Sequence, residues 1–368
     1  MKYFILTGEP SGDMHAANLA MAIKKYDENA VLKGWGGDRL ANAGVEILKP
    51  IEELSFMGFW EVVSHLPKIR RNFQDAHKQI VEYHPDVVVL VDFPGFNLRM
   101  AKWAKKRGFK VVYYISPQLW AWKESRVNIV KQYVDKMLVI LPFEQEFYKK
   151  HGVEAIYVGH PLLDELEKKS IESREGLPAQ YIALLPGSRK QEVEHILPVM
   201  LSASASFNNF RIIIAASNNI EEHIYRKIAG NKNVSIIYND TYRILKHARV
   251  AWVTSGTATL ETALIGTPQI VCYKGSVLSY WLARRLVKVK YISLVNLILD
   301  KPLVKELIQH DLNEKNLINE TKKILESNQE EKKIIDGYEE LKNLLKSNIS
   351  GPSDKAANII VQLAKEMQ

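Results

Sequence analysis

With 368 residues, 46% of them hydrophobic and 25% charged, the chain has material for two domains with separate cores and the composition of a folded soluble protein. A lone cysteine, Cys272, excludes an internal disulfide, and no apolar run approaches a membrane span. The formal charge of +8 favours an anionic partner, and Lys2 followed by a short strand in place of a long apolar run leads us to expect a cytosolic protein.

Residues Tyr3–Thr7 predict a strand that runs into Gly8-Glu9-Pro10-Ser11-Gly12-Asp13 and then into a helix over Ala16–Ile23. Further strands are expected near Val31–Gly34, Asp86–Val91, Lys110–Ile115, Lys136–Ile140 and Ala155–Val158, with helices between them such as Phe96–Lys106 and Glu144–His151. This alternation predicts βαβ units and a parallel sheet. Val87–Val91 is apolar on both faces and fits a central strand. After Gly159-His160-Pro161 the polar interval 164–178 reads as a linker between a first domain (1–163) and a second (179–350). The second domain repeats the plan with strands at Tyr181–Leu185, Phe210–Ala215, Val234–Tyr238, Arg249–Val253 and Gln269–Cys272. Beyond Pro302 the pattern becomes helical and charged. A last helix over 353–366, with Ser353 as a plausible cap, is a candidate to pack back on the first domain. The fold class is therefore α/β: two Rossmann-like domains facing across a cleft, with a helical C-terminal segment.

Each half opens on a strand, a turn of small residues and a helix start, an arrangement that directs backbone N–H groups at an anion. In the second half, Pro186-Gly187-Ser188-Arg189 adds a guanidinium suited to a diphosphate. Thr254-Ser255-Gly256-Thr257-Ala258-Thr259-Leu260-Glu261 offers hydroxyls at a helix start and a carboxylate for a ribose diol; an ordinary capped helix is the competing reading. In the first half, Asp92 follows the central strand directly and could act as a general base, or simply cap the next helix. Glu9, Ser11, Gly12, Asp13 and His15 surround the first turn and could hold a sugar or phosphate. Which of Asp92, Glu9 and Asp13 is the base stays open here.

The interval Phe93–Lys123 contains no acid but has seven Lys and Arg residues, and Thr262–Leu299 is also acid-free. These runs suit phosphates, nucleic acid or a lipid surface, or are solvated faces. Leu54–Leu66, with Phe56, Met57, Phe59 and Trp60, is apolar and followed by Lys68, Arg70 and Arg71. It suits acyl chains or an anionic bilayer, unless it is a plain buried helix. Trp281 and Leu282 with Arg284 and Arg285 repeat the theme. The P-loop pattern, the dinucleotide glycine spacing, Asp-x-Asp and zinc-ligand spacing are all missing, so no metal or cofactor is expected.

Taken in order, Gly8–Asp13, Asp92–Asn97, Ser116-Pro117-Gln118-Leu119-Trp120-Ala121-Trp122, Leu185–Arg189, Ser255–Glu261 and Ser293-Leu294-Val295-Asn296-Leu297 resemble lipid-A-disaccharide synthase, a glycosyltransferase family of the GT-B type. The resemblance implies metal-independent, inverting transfer of 2,3-diacylglucosamine from its UDP-linked form to 2,3-diacylglucosamine 1-phosphate. It implies Asp92 as base, Arg189, Glu261 and Asn296 with Gly187, Ser188, Ser255, Gly256 and Thr257 on the donor side, and Asn97 and Trp120 with the first-turn residues on the acceptor side. It also implies peripheral attachment to the inner leaflet of the inner membrane and no nucleic-acid partner, while a second copy of the chain stays open as a partner. Pro10 and Val295 depart from the familiar pattern, where alanine and proline are common. The alternatives are a UDP-N-acetylglucosamine 2-epimerase-like isomerase, another lipid-linked N-acetylglucosamine transferase, or a non-catalytic binding module.

Overall fold

The computed structural model describes residues 1–54, 66–168, 174–275, 289–346 and 351–366. The apolar candidates Phe56, Met57, Phe59 and Trp60 and the basic pair Arg284 and Arg285 lie outside the described residues. The chain divides into unit 1, Met1–Glu165 with Leu345–Gln368, and unit 2, Leu166–Leu344.

Unit 1 is built on strands β1 (Lys2–Leu6), β2 (Val31–Gly36), β3 (Glu46–Pro50), β4 (Val87–Val91), β5 (Lys110–Tyr114), β6 (Lys136–Val139) and β7 (Ala155–Tyr157). They form one parallel sheet in the order β3-β2-β1-β4-β5-β6-β7. Successive residues of a strand alternate between its two faces. Accordingly Tyr3, Ile5, Val87 and Val89 pack with Ala16, Leu19 and Ile23 of the helix Pro10–Tyr26 and with Ala356, Ile360 and Val361 of the C-terminal helix Pro352–Lys365. Phe4, Leu6, Val88 and Leu90 pack on the other side with Ala76, Ile80, Phe96 and Met100. All five residues of β4 are fully buried, as a strand covered on both faces requires. The C-terminal helix is fastened by Asp164, whose Oδ2 accepts from the Ser353 N–H (3.0 Å) and hydroxyl (2.5 Å).

Unit 2 has β8 (Tyr181–Leu185), β9 (Arg211–Ala216), β10 (Val234–Tyr238), β11 (Val250–Thr254), β12 (Gln269–Tyr273) and β13 (Lys305–Ile308), parallel in the order β10-β9-β8-β11-β12-β13.

Both sheets run outward in two directions from one central pair, β1/β4 in unit 1 and β8/β11 in unit 2. At such a reversal the turns after the two strands lie side by side at the carboxyl edge, where ligands bind in open α/β sheets. The topology thereby joins motifs that are far apart in sequence: Gly8–Asp13 with Asp92–Asn97, and Pro186–Arg189 with Ser255–Glu261.

Two expectations need correction. The strands do not stop at Pro302, because β13 follows it. Both β13 and the unanticipated β3 are edge strands, rich in Lys and Glu and buried on fewer positions, so neither reads as an apolar run. Residues 164–168, expected as linker, belong to the helix Leu162–Lys168. Pro10 occupies the first position of its helix, where the missing N–H costs no intrahelical bond.

Candidate active site

In unit 1, Asp92 and Phe93 both adopt left-handed backbone conformations (φ 48° and 49°) directly after β4. For residues other than glycine this is strained, at roughly 1–2 kcal/mol each. The turn is held by the Asp92 N–H donating to the Tyr114 carbonyl (3.0 Å) and by Tyr113 Oη donating to the Asp92 carbonyl (2.7 Å). Asn97 Nδ2 also donates to the carbonyls of Asp92 (2.8 Å), Val91 (3.2 Å) and Leu6 (3.3 Å). Asn97 is fully buried and clamps the turn through its Nδ2, while its Oδ1 has no hydrogen-bond partner. Asp92 is not a helix cap either: Phe93 stands at the cap position of the helix Pro94–Lys106, with no capping side-chain bond. Burial, with Glu9's negative charge as a second cause, pushes the Asp92 carboxyl up to about 6. Gly8 closes the neighbouring turn against Phe93, whose ring would lie 2.6 Å from a Cβ at that position.

The remaining first-turn candidates separate by burial. Glu9 and Ser11 are exposed. Gly12 is buried against Thr7. Asp13 is buried, and its carboxylate accepts from the N–H groups of Gly37 (2.6 Å), Arg39 (3.2 Å) and Leu40 (3.3 Å). These bonds tie down the start of the short helix Asp38–Asn42 and commit Asp13 to structure, against its expected place among the bases. His15 is also buried and is held neutral by desolvation, its pKa lowered to about 4, so it is no surface ligand. Trp120 is half-buried and donates through Nε1 to Glu144 (3.1 Å), a buried carboxyl pushed up to about 7. Several basic residues of the acid-free run are engaged within unit 1. Lys105 pairs with Asp135, Lys110 donates to the Leu363 carbonyl, and Arg99, Arg107 and Lys123 lie over aromatic rings.

Unit 2 contains a cavity of about 440 Å³ lined by Leu185, Gly187, Ser188, Arg189, Glu192, Ala215, Ala216, Ser217, Thr241 and Thr254–Ala258 with Glu261. Its size falls in the range of small-molecule sites. The helix Thr257–Ile265 begins on it after Gly256, with no side-chain cap. An uncapped helix start carries N–H groups and a positive dipole end. The Thr254 hydroxyl is buried on the same wall with no hydrogen-bond partner. Arg189 is 77% exposed, and Glu261 accepts from Tyr242 Oη (2.9 Å). Seven of the eight expected donor-side residues line this one cavity.

Asn296 is the exception. It is buried, donating through Nδ2 to the Val304 carbonyl and Glu306 (2.9 Å each) and accepting from the Val304 N–H (2.9 Å). Glu306 also accepts from the N–H groups of Ile292 and Ser293 (3.0 Å each), and the Ile292 carbonyl accepts from Ser255 Oγ (3.0 Å). The Ser293–Asn296 motif therefore braces the Ser255 turn, and Asn296 does not line the cavity. Glu306, Tyr242 and Glu192 escape the sequence reading, and Thr254 enters it only as the first residue of the Thr254–Glu261 run. Only Glu192 had a signal there, three residues after Arg189 in the position of a capping-box acid.

A family model described as lipid-A-disaccharide synthetase matches residues 3–360. A lipid-A-disaccharide synthase from Acidobacterium capsulatum is 35% identical, with 99% of this chain and 96% of the relative covered. One from Syntrophus aciditrophicus is 38% identical, with 98% and 97% covered. Among solved structures, the glycotransferase of kitacinnamycin superimposes with a TM-score of 0.69 at 10% identity over 99% of both chains. A UDP-GlcNAc 2-epimerase from Neisseria meningitidis gives 0.66 at 14% identity over 100% of both. These two share the fold, whereas the sequence relatives share descent over nearly the whole chain, and with them this chain belongs to the lipid-A-disaccharide synthase family, glycosyltransferases of lipid A biosynthesis.

Proposed function

We propose that the enzyme transfers 2,3-diacylglucosamine from UDP-2,3-diacylglucosamine to 2,3-diacylglucosamine 1-phosphate, forming a β-1,6-linked disaccharide 1-phosphate. The observation that carries this reading is the unit 2 cavity, where an exposed arginine, an uncapped helix start, an unpartnered buried hydroxyl and a carboxylate line one space. Arg189 and the helix start suit the diphosphate, and Glu261 suits the ribose diol. In unit 1, Asp92 takes the proton of the acceptor's 6-hydroxyl. The hydroxyl oxygen bonds to the donor's anomeric carbon while the bond from that carbon to the diphosphate breaks, and UDP leaves with the electron pair. The charge gathering on the leaving group is met by Arg189 and the helix dipole, so no metal is invoked.

A base with a pKa near 6 is ionised at neutral pH and still basic enough to accept a proton. Neutral His15 and amide-bound Asp13 do not compete for this task, and exposed Glu9 serves instead to raise Asp92. We place the reaction at the inner-membrane surface. Among the described residues no helix is long and apolar enough to cross a membrane, and the acyl chains of both substrates demand a lipid surface.

A disaccharide-forming assay with both lipid substrates tests the reading. Parent enzyme should release UDP with and without EDTA, Asp92→Ala should lose turnover by at least about a hundredfold, and Arg189→Ala should lose donor affinity. Normal turnover by Asp92→Ala would overturn the base assignment. Interconversion of UDP-sugar epimers without disaccharide would overturn the function.

A further inference from the structure

We propose that Glu192 is a positioning residue for the donor: it fixes the shape of the Pro186–Arg189 loop and with it the place from which Arg189 reaches the diphosphate. The inference rests on the reading that the unit 2 cavity takes the donor's diphosphate.

The helix Lys190–Ser204 begins beside the cavity, and its first N–H groups would ordinarily be an anion site in their own right. The two N–H groups that lead into it, on Ser188 and the cap residue Arg189, are already taken. Glu192 Oε2 accepts from the Ser188 N–H (3.1 Å) and the Arg189 N–H (3.3 Å), while Oε1 lies 3.4 Å from Arg189 Nη1. The protein's own carboxylate thus sits where a phosphate oxygen would sit. A diphosphate entering the cavity therefore does not find the Ser188 and Arg189 amides free, while the helix start at Gly256–Ala258 and Arg189's exposed guanidinium face the same space.

Gly187 shows how closely the loop is moulded to this carboxylate. Its φ is 115°, and a Cβ there would fall 2.5 Å from Glu192 Oε2 and 2.7 Å from Glu192 Cβ. The glycine, the two amides and the acid form one closed turn that roots Arg189. Glu192 therefore costs the site a negative charge but gains a fixed origin for its cation. The spacing from Arg189 to Glu192 is as much a part of the donor site as the arginine.

Glu192→Ala and Glu192→Gln separate shape from charge, because the glutamine carbonyl can still accept from both N–H groups. Isothermal titration with UDP and steady-state kinetics with each substrate varied should show Glu192→Ala losing UDP affinity and raising donor KM about ten- to a hundredfold, as expected when hydrogen bonds to a charged group are lost. Acceptor KM should stay unchanged, and Glu192→Gln should recover most of the loss. Unchanged or tighter UDP binding by Glu192→Ala would overturn the proposal and make Glu192 a repulsive occupant. Equal changes in both KM values, tracking a lowered melting temperature, would also overturn it, leaving only a helix cap. The underlying reading fails separately: Arg189→Ala would then bind UDP as the parent does.

Discussion

Replacing Asp92 by Asn would remove one buried charge while keeping size and backbone tolerance, since Asn accepts the left-handed conformation about as well as Asp. The Asp92 carboxyl is raised from 3.8 to about 6, by desolvation first and by Glu9 second. Folded protein therefore binds this proton more tightly than unfolded protein does. The stability associated with it is fully present below about pH 4 and is lost as the pH rises through 6. At about 1.4 kcal/mol per pKa unit the loss is about 3 kcal/mol. Asn has no such loss. The stability of Asp92→Asn relative to parent should therefore be near its baseline at pH 4, gain half of the difference by about pH 5, and exceed parent by about 3 kcal/mol at pH 8. For a domain the size of unit 1 that corresponds to a melting temperature higher by about 6–12 °C. Thermal and urea unfolding at pH 4, 5, 6 and 8 would measure it, alongside the loss of turnover. A gap that is equal at pH 4 and pH 8, or a variant less stable than parent at pH 8, would refute the assignment of a charge held against its solvation.

Asp13→Ala leaves three N–H groups at residues 37–40 without their acceptor and should lower the stability of unit 1 by roughly 2–4 kcal/mol, read by urea unfolding, with UDP affinity unchanged. Gly8→Ala drives a methyl into the Phe93 ring and should displace the Asp92 turn, lowering kcat while titrations with UDP match the parent. Asp164→Ala removes the acceptor for Ser353 and should cost about 1–2 kcal/mol, seen as faster proteolysis within residues 351–366 at an unchanged melting temperature of unit 2.

The central strands and the turns that follow them were legible because both rest on strong local patterns. Val87–Val91 is apolar throughout since both of its faces are covered, and the glycine turns are marked by small residues between a strand and a helix. Of the four edge strands, Ala155–Tyr157 and Val234–Tyr238 were legible, whereas Glu46–Pro50 and Lys305–Ile308 were not, because they carry charge where water reaches them. The sites divide in a similar way. Arg189, Ser255 and Glu261 line one cavity, as turns that follow two neighbouring parallel strands bring a cation, hydroxyls and a carboxylate together. Asn97 and Asn296 brace turns from buried positions. A motif shows that an amide is wanted near a turn but not whether it faces a ligand or the backbone carbonyls, and both face the backbone. Asp13 and His15 are buried where Ser11 is exposed, and nothing in the spacing says which side of that helix touches the core.

The helix Pro352–Lys365 lends six or more core residues to a sheet whose strands all precede residue 158. During synthesis, the sheet of unit 1 emerges from the ribosome long before the helix that covers one of its faces. The whole of Leu166–Leu344 must be translated in between, which at about 5–20 residues per second takes on the order of 10–40 s. Throughout that interval the apolar side of β1, β4 and β5 lacks its final cover. Unit 2, by contrast, has its sequence in one piece and can close as soon as it emerges. The order of folding is thus the reverse of the order of synthesis: the unit that carries Asp92 is made first and completed last.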